Sequence, residues 1–302
     1  MKRVLISIDD MNLKKINEYL SLAHKIEKIP DKEKISLLSG KILAALFFEP
    51  STRTRLSFEA AMLRLGGSVI GFSETASTSV SKGETLQDTI YTVENYSDII
   101  VIRHNREGAA RVAAEISRVP VVNAGDGANQ HPSQTLLDLY TIQKFFGSID
   151  GLKVAFVGDL KYSRTVHSLV QALSKFEKIK FLLVSPESLR LPGHFKAQLV
   201  DQKHSCHETS DLAEAMSSCD VVYMTRIQRE RFPDALEYEK VKDCFCINLE
   251  MVSHARKGMK ILHPLPRVNE ILPEVDSTPF AGYFEQVRNG LIMRQAIISS
   301  LL

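Results

Sequence analysis

Short apolar runs bounded by turn residues recur along this chain, with helix-spaced segments between them. "KILAALFF" from Lys41, "SVIGF" from Ser68, "DIIVIR" from Asp98 and "VPVVNAG" from Val119 make one series. "KVAFVGDL" from Lys153, "KFLLVS" from Lys180, "DVVYMT" from Asp220, "CFCINL" from Cys244 and "KILHPL" from Lys260 make a second. Runs of this kind, alternating with amphipathic stretches, predict parallel strands covered by helices on both faces. Leu86, Ile90, Val93 and Tyr96 fall at i, i+4, i+7 and i+10 of one helix, and "EGAARVAAEIS" and "PSQTLLDLYTIQKFF" supply two more. The expected fold is α/β with two domains, since 302 residues exceed the usual single core. The joint falls where "GSIDGL" places two glycines before the second series, giving domains 1–147 and 148–282. The last segment, 283–302, reads as one helix despite Gly290.

Charge removes several classes of partner. Lys and Arg number 38 against 36 Asp and Glu, a net +2 with no long run of one sign, so neither nucleic acid nor an anionic membrane is expected. The apolar stretch in "MKRVLISIDD" stops at Asp9, and no segment approaches the ~18–20 apolar residues of a membrane span. A cytoplasmic protein is expected. The four cysteines, Cys206, Cys219, Cys244 and Cys246, lack C-x-x-C spacing and are read as buried reduced thiols. His204, Cys206 and His207 have no second ligand pair, so they are read as a solvated loop.

"FFEPSTRTRLSF" from Phe47 packs two arginines and three hydroxyls into five residues after an apolar run. A strand should end near Phe48 and a helix begin around Ser51 to Thr54. A helix N-terminus carries unpaired N–H groups and partial positive charge, and two hydroxyls with the guanidinium of Arg53 or Arg55 would complete a phosphate-sized pocket. The plainer alternative is that Ser51 caps the helix and the arginines are solvated. Neither G-x-x-x-x-G-K-[ST] nor G-x-G-x-x-G occurs, so a small phosphorylated metabolite suits the stretch better than a nucleotide. Polar residues gather at the other strand ends too: Arg103 and His104, His131 and Gln134, Arg164, Arg226 and Gln228, His263 and Arg267. Strand ends are where open α/β sheets bind ligands, so this set describes a site that collects several negative charges.

"FFEPSTRTRLSFE", "HPSQTLLDLYT", "VGDLKYSRTVHSL", "YMTRIQRERF" and "ILHPLPRVNEI" occur in this order and resemble the aspartate carbamoyltransferase catalytic chains over essentially the whole length. The resemblance implies transfer of a carbamoyl group from carbamoyl phosphate to L-aspartate, using no cofactor and no metal. It gives domain 1–147 to carbamoyl phosphate and 148–282 to aspartate, with helix 283–302 returning to the first domain. It implies that Ser51, Thr52, Arg53 and Thr54 hold the phosphate, that Arg103 touches phosphate and carbonyl, and that His131 and Thr54 polarise the carbonyl. Gln134 and the backbone carbonyls of Leu265 and Pro266 would hold the carbamoyl NH₂. Arg164 would take the aspartate α-carboxylate and Arg226, oriented by Gln228, the side-chain carboxylate. Glu49 and Arg164 would pair on domain closure. Ser79 and Lys82, in "STSVSKGETL", would enter the site of a neighbouring subunit in a homotrimer. That stretch is read as an exposed loop, one residue shorter than in the best-known relatives. Ser133 and Asn269 depart from the commoner Thr and Asp of the family. Catalytic chains of this kind occur with and without regulatory partner chains. The rivals are an ornithine-type carbamoyltransferase and a non-catalytic binding protein for an anionic metabolite; Leu265 and Arg226 favour a dicarboxylate.

Overall fold

Both predicted series form all-parallel sheets. The computed structural model describes residues 3–73, 79–227, 229, 232 and 234–302. The chain divides into two compact units, Met1–Tyr140 with Arg288–Leu302, and Thr141–Val287.

In the first unit, strands β1 (Val4–Leu5), β2 (Ile42–Phe47), β3 (Ser68–Phe72), β4 (Ile99–His104) and β5 (Val121–Asp126) lie in the order β1-β5-β4-β2-β3. They are connected through helices α1 (Leu13–Lys28), α2 (Asp31–Lys34), α3 (Thr52–Arg64), α4 (Leu86–Val93) and α5 (Ala109–Ile116), and α6 (Pro132–Phe146) follows β5. Residues 43–47 of β2 are all buried because helices cover both faces. Ala44, Leu46, Ile100 and Ile102 meet the small side chains of α5, Ala110 and Ala113 among them. Each large apolar side chain so buried stabilises the fold by roughly 1.5–3 kcal/mol.

The second unit also has a five-stranded parallel sheet, with β6 (Lys153–Val157), β7 (Lys180–Val184), β8 (Ser205–Thr209), β9 (Val221–Met224) and β10 (Lys260–Leu262) ordered β10-β9-β6-β7-β8, its first strand central where β1 is at an edge. Its helices are α7 (Arg164–Leu173), α8 (Gly193–Asp201), α9 (Leu212–Ser218), α10 (Ala235–Val241) and α11 (Leu249–Ser253). The last helix, α12 (Tyr283–Leu301), rejoins the first unit from Arg288 onward, as expected. Arg294 anchors it there by donating to Ser57 Oγ of α3 at 2.9 Å and lying 5.2 Å from the Phe58 ring centroid.

Four expectations need correction. "SCHET" is not a solvated loop but the edge strand β8, paired in register with β7 from Lys180↔Ser205 to Val184↔Thr209. "CFCINL" is not a strand of the sheet. Only Ile247 makes a bridge, to Ile271, and Asn248 starts α11 by accepting from the Met251 amide at 2.9 Å. Tyr96 lies beyond the end of α4 and is exposed rather than part of its apolar face. Of the four cysteines, Cys219 is buried but Cys244 is exposed. Among the described residues, no helix is long and apolar enough to cross a membrane.

Candidate active site

In each sheet the order in which strands are added switches sides at one place. In the first unit the chain leaves β2 for β3 on one side and returns with β4 on the other, so β2 and β4 flank the switch point. In the second unit β6 and β9 do the same. A crevice beyond the carboxyl ends of such a strand pair is where open α/β sheets bind ligands.

The β2 end carries the phosphate stretch. Ser51 precedes α3 with extended backbone (φ −159°, ψ 96°), and among the described residues its side chain makes no capping hydrogen bond. Had it served only as a cap, its oxygen would accept from the second or third amide of the helix. The first turn holds no acidic side chain, so the partial positive charge of the α3 N-terminus is not offset there. Thr52 and Arg53 are exposed, and Thr54 is buried. Arg55 turns to Glu59, with Nε 2.6 Å from Oε1. Arg55 is thereby paired along its own helix, while Arg53 lies exposed in its first turn.

Arg103, next to last in β4, lies beside Phe47 of β2, with its side chain nearly buried. Its Nε lies 3.1 Å from Glu49 Oε2, and Nη1 donates to the Ala124 carbonyl at 3.5 Å. Glu49 thus forms an ion pair with Arg103 at the ends of β2 and β4.

His131 and Gln134 open α6, both buried. Gln134 Nε2 donates to Asp138 Oδ1 at 2.8 Å. A carboxylate can only accept, so the amide is oriented with Oε1 as its remaining acceptor, the atom an NH₂ group requires. Ser133 Oγ lies 3.4 Å from His131 Nδ1. The loop before His131 is fastened by Asp126, which accepts from the amides of Gly108 and Gln130 and from the side chains of Asn123 and Asn129 at 2.9–3.1 Å. Asp126 and Asp138 escape a motif-based reading because Asp126 fastens loop amides and Asp138 acts through the Gln134 side chain. The signal available in sequence is the turn chemistry of "NAGDGANQ" around Asp126.

At the second switch point Gly158 follows β6 at φ +110°. A Cβ there would lie 2.4 Å from the Thr225 carbonyl, so only glycine lets the two strand ends approach. Arg164 is the first residue of α7, half-buried. Arg226, also half-buried, lines a cavity of about 220 Å³ with Thr225, Tyr238, Lys242 and Asn269. Gln228 lies outside the described residues. Leu265, in the loop after β10, adopts φ +55°, and its bond to Pro266 is cis. Arg267 is committed elsewhere: both terminal nitrogens contact the Asp276 carboxylate, and Nη1 donates to Tyr283 Oη at 3.0 Å. It does not join the anion-collecting set. Ser79 and Lys82 sit exposed on a 3₁₀ turn, Ser79–Lys82, just before α4.

The fold and these strand-end residues define a two-unit parallel α/β protein with cationic side chains at its switch points. The carbamoyl-P binding domain of the aspartate/ornithine carbamoyltransferases matches residues 3–144, and their Asp/Orn binding domain matches 150–301. A relative from Thermococcus onnurineus, named aspartate carbamoyltransferase catalytic subunit, is 56% identical over 99% of this chain and 97% of its own. The catalytic subunit of M. jannaschii aspartate transcarbamoylase has a TM-score of 0.93 at 54% identity, covering 100% of this chain and 98% of the other. Aspartate transcarbamoylase from Trypanosoma cruzi, in complex with carbamoyl phosphate and aspartate, has a TM-score of 0.91 at 40% identity, covering 99% and 95%. The chain belongs to the aspartate/ornithine carbamoyltransferase family.

Proposed function

We propose that the chain transfers the carbamoyl group of carbamoyl phosphate to the α-amino group of L-aspartate, giving N-carbamoyl-L-aspartate and phosphate for pyrimidine synthesis. The observation that carries this reading is the α3 N-terminus, where Ser51 caps nothing and Arg103 stands beside it at the switch point. In this reading Ser51, Thr52, Arg53 and Thr54 bind the phosphate and Arg103 spans phosphate and carbonyl. His131 and Thr54 donate toward the carbonyl oxygen, where charge develops as the amine attacks. Gln134 Oε1 and the carbonyls of Leu265 and Pro266 accept from the carbamoyl NH₂. Arg164 and Arg226 take the two carboxylates of aspartate, and Gln228 orients Arg226. Positive donors suffice for a tetrahedral intermediate and a departing phosphate.

In this reading the protein works in the cytoplasm as a homotrimer, and Ser79 and Lys82, exposed on their own chain, enter a neighbouring site. Regulatory chains are a further partner class in this reading. A colorimetric assay for carbamoyl-aspartate tests the reaction: product from aspartate and none from ornithine is expected. Product from ornithine alone would assign the chain to the other branch of the family, and no product from either would leave an anion-binding protein.

A further inference from the structure

His263 follows β10 with its ring buried, and its amide donates to Gln286 Oε1 at 2.9 Å. The Leu265 amide donates to His263 Nδ1 at 2.7 Å. A ring nitrogen that accepts from an N–H carries no proton of its own, so the ring hydrogen sits on Nε2. Nε2 lies 2.8 Å from Glu270 Oε1 and donates to it. The other carboxylate oxygen accepts from the amides of Val268 at 2.9 Å and Asn269 at 3.1 Å. The stretch from His263 to Glu270 is thus closed on itself by one imidazole and one carboxylate. Burial works to raise the Glu270 carboxyl, but the His263 ring and the Val268 amide more than offset it, so its pKa lies on the low side of the ordinary value.

Leu265 sits inside this closed loop at φ +55°, a region that L residues other than Asn and Asp rarely visit. Such a backbone persists only where its surroundings over-determine it. Here the restraint is visible: the Leu265 amide is pinned to His263, and the chain two residues beyond Pro266 is pinned to Glu270. The direction of the Leu265 carbonyl follows from where its own amide and the next segment are held.

We infer that His263 and Glu270 are positioning residues for the reaction, acting through the loop to hold the Leu265 carbonyl where the carbamoyl NH₂ is received. The inference rests on the reading that this loop receives the carbamoyl group. Neither side chain touches substrate in this scheme. Their effect appears in the binding of a molecule bearing NH₂ and not in that of a bare phosphate.

The parent's formation of carbamoyl-aspartate tests the reaction, and the variants test the loop. His263→Asn keeps an acceptor near the position of Nδ1, whereas His263→Gln reaches toward Glu270 and gives up the acceptor for the Leu265 amide. With melting temperatures recorded for each, His263→Gln should raise the KM for carbamoyl phosphate about tenfold and lower kcat, and His263→Asn should lose about threefold, the scale of one hydrogen bond. The inhibition constant of inorganic phosphate should match the parent in both. In the second arm, Glu270→Ala, which frees the Val268 and Asn269 amides, should lose about tenfold for carbamoyl phosphate, and Glu270→Gln, which keeps acceptors for them, should lose less. The idea is overturned if Asn and Gln at 263 behave alike, if Glu270→Ala keeps the parental KM and kcat, or if phosphate weakens in step with carbamoyl phosphate.

Discussion

Arg53 and Arg55 stand two residues apart on one helix and point to different fates, because a residue four places on from Arg55 is Glu59. Such an i,i+4 pair contributes only about 0.3–0.5 kcal/mol, so Arg55→Ala should cost little stability and leave carbamoyl phosphate binding near the parental value. Ser51→Ala separates the two readings of that serine. Losing a working N-cap costs about 1 kcal/mol, but this side chain caps nothing, so the melting temperature should hold while carbamoyl phosphate binding weakens about tenfold. A drop in melting temperature with intact binding would restore the cap. At the second switch point, Arg226→Ala should raise the aspartate KM and cut turnover, together by several kcal/mol of transition-state binding, with carbamoyl phosphate affinity little changed. Steady-state kinetics with each substrate varied would sink the assignment if the two effects were exchanged. Residue types at strand ends were legible in sequence, and their pairings were not. Arg267 looks like Arg226 until Asp276 and Tyr283 fold back onto it from nine and sixteen residues further on.

At the scale of elements, what was legible followed burial. β2, β6 and β7 are continuous apolar runs because both faces are covered, and α6 carries its apolar period from Pro132 to Phe146 as read. β8 escaped because an edge strand buries little, and Ser205–Thr209 holds a polar sequence whose backbone pairing alone makes it a strand. "CFCINL" misled in the opposite sense: its apolar residues pack from a turn and a short helix, and the Asn248 cap was the signal available. Helix α12 shows why Gly290 is tolerated mid-helix. Replacing glycine by alanine in a helix ordinarily adds about 1 kcal/mol of stability. Here a Cβ would lie 2.8 Å from Arg294 Nη1 and 3.2 Å from Leu137 Cδ2. The arginine cannot swing away cheaply, because it is buried, with burial pushing its pKa down to about 10, and that same nitrogen donates to Ser57. Gly290→Ala should therefore destabilise by about 1–3 kcal/mol, read as a lower urea midpoint. A rise in the midpoint would show that α12 sits more loosely on α3 and α6 than these distances state.

Across the whole molecule, two five-stranded parallel sheets place cations at both switch points, and the proposed reaction uses each for a different charge. Ser79 and Lys82 lie exposed on their 3₁₀ turn, and the trimer reading gives that turn a task in the next chain. A head-to-tail ring has heterologous interfaces, so one site would combine His131 of one chain with Lys82 of the next. Lys82→Ala and His131→Ala trimers should each be nearly inactive. Dissociated, mixed in equal amounts and reassembled, they make rings of which about three quarters are mixed under random association. Each mixed ring has one interface where an intact His131 faces an intact Lys82, which is one site in three, so roughly a quarter of parental activity should return. A site built within one chain cannot be repaired in this way, because every chain in the mixture carries one lesion. If the reassembled protein is shown by light scattering to be trimeric and forms no more carbamoyl-aspartate than its components, Lys82 acts in its own chain or not at all, and the shared site is lost.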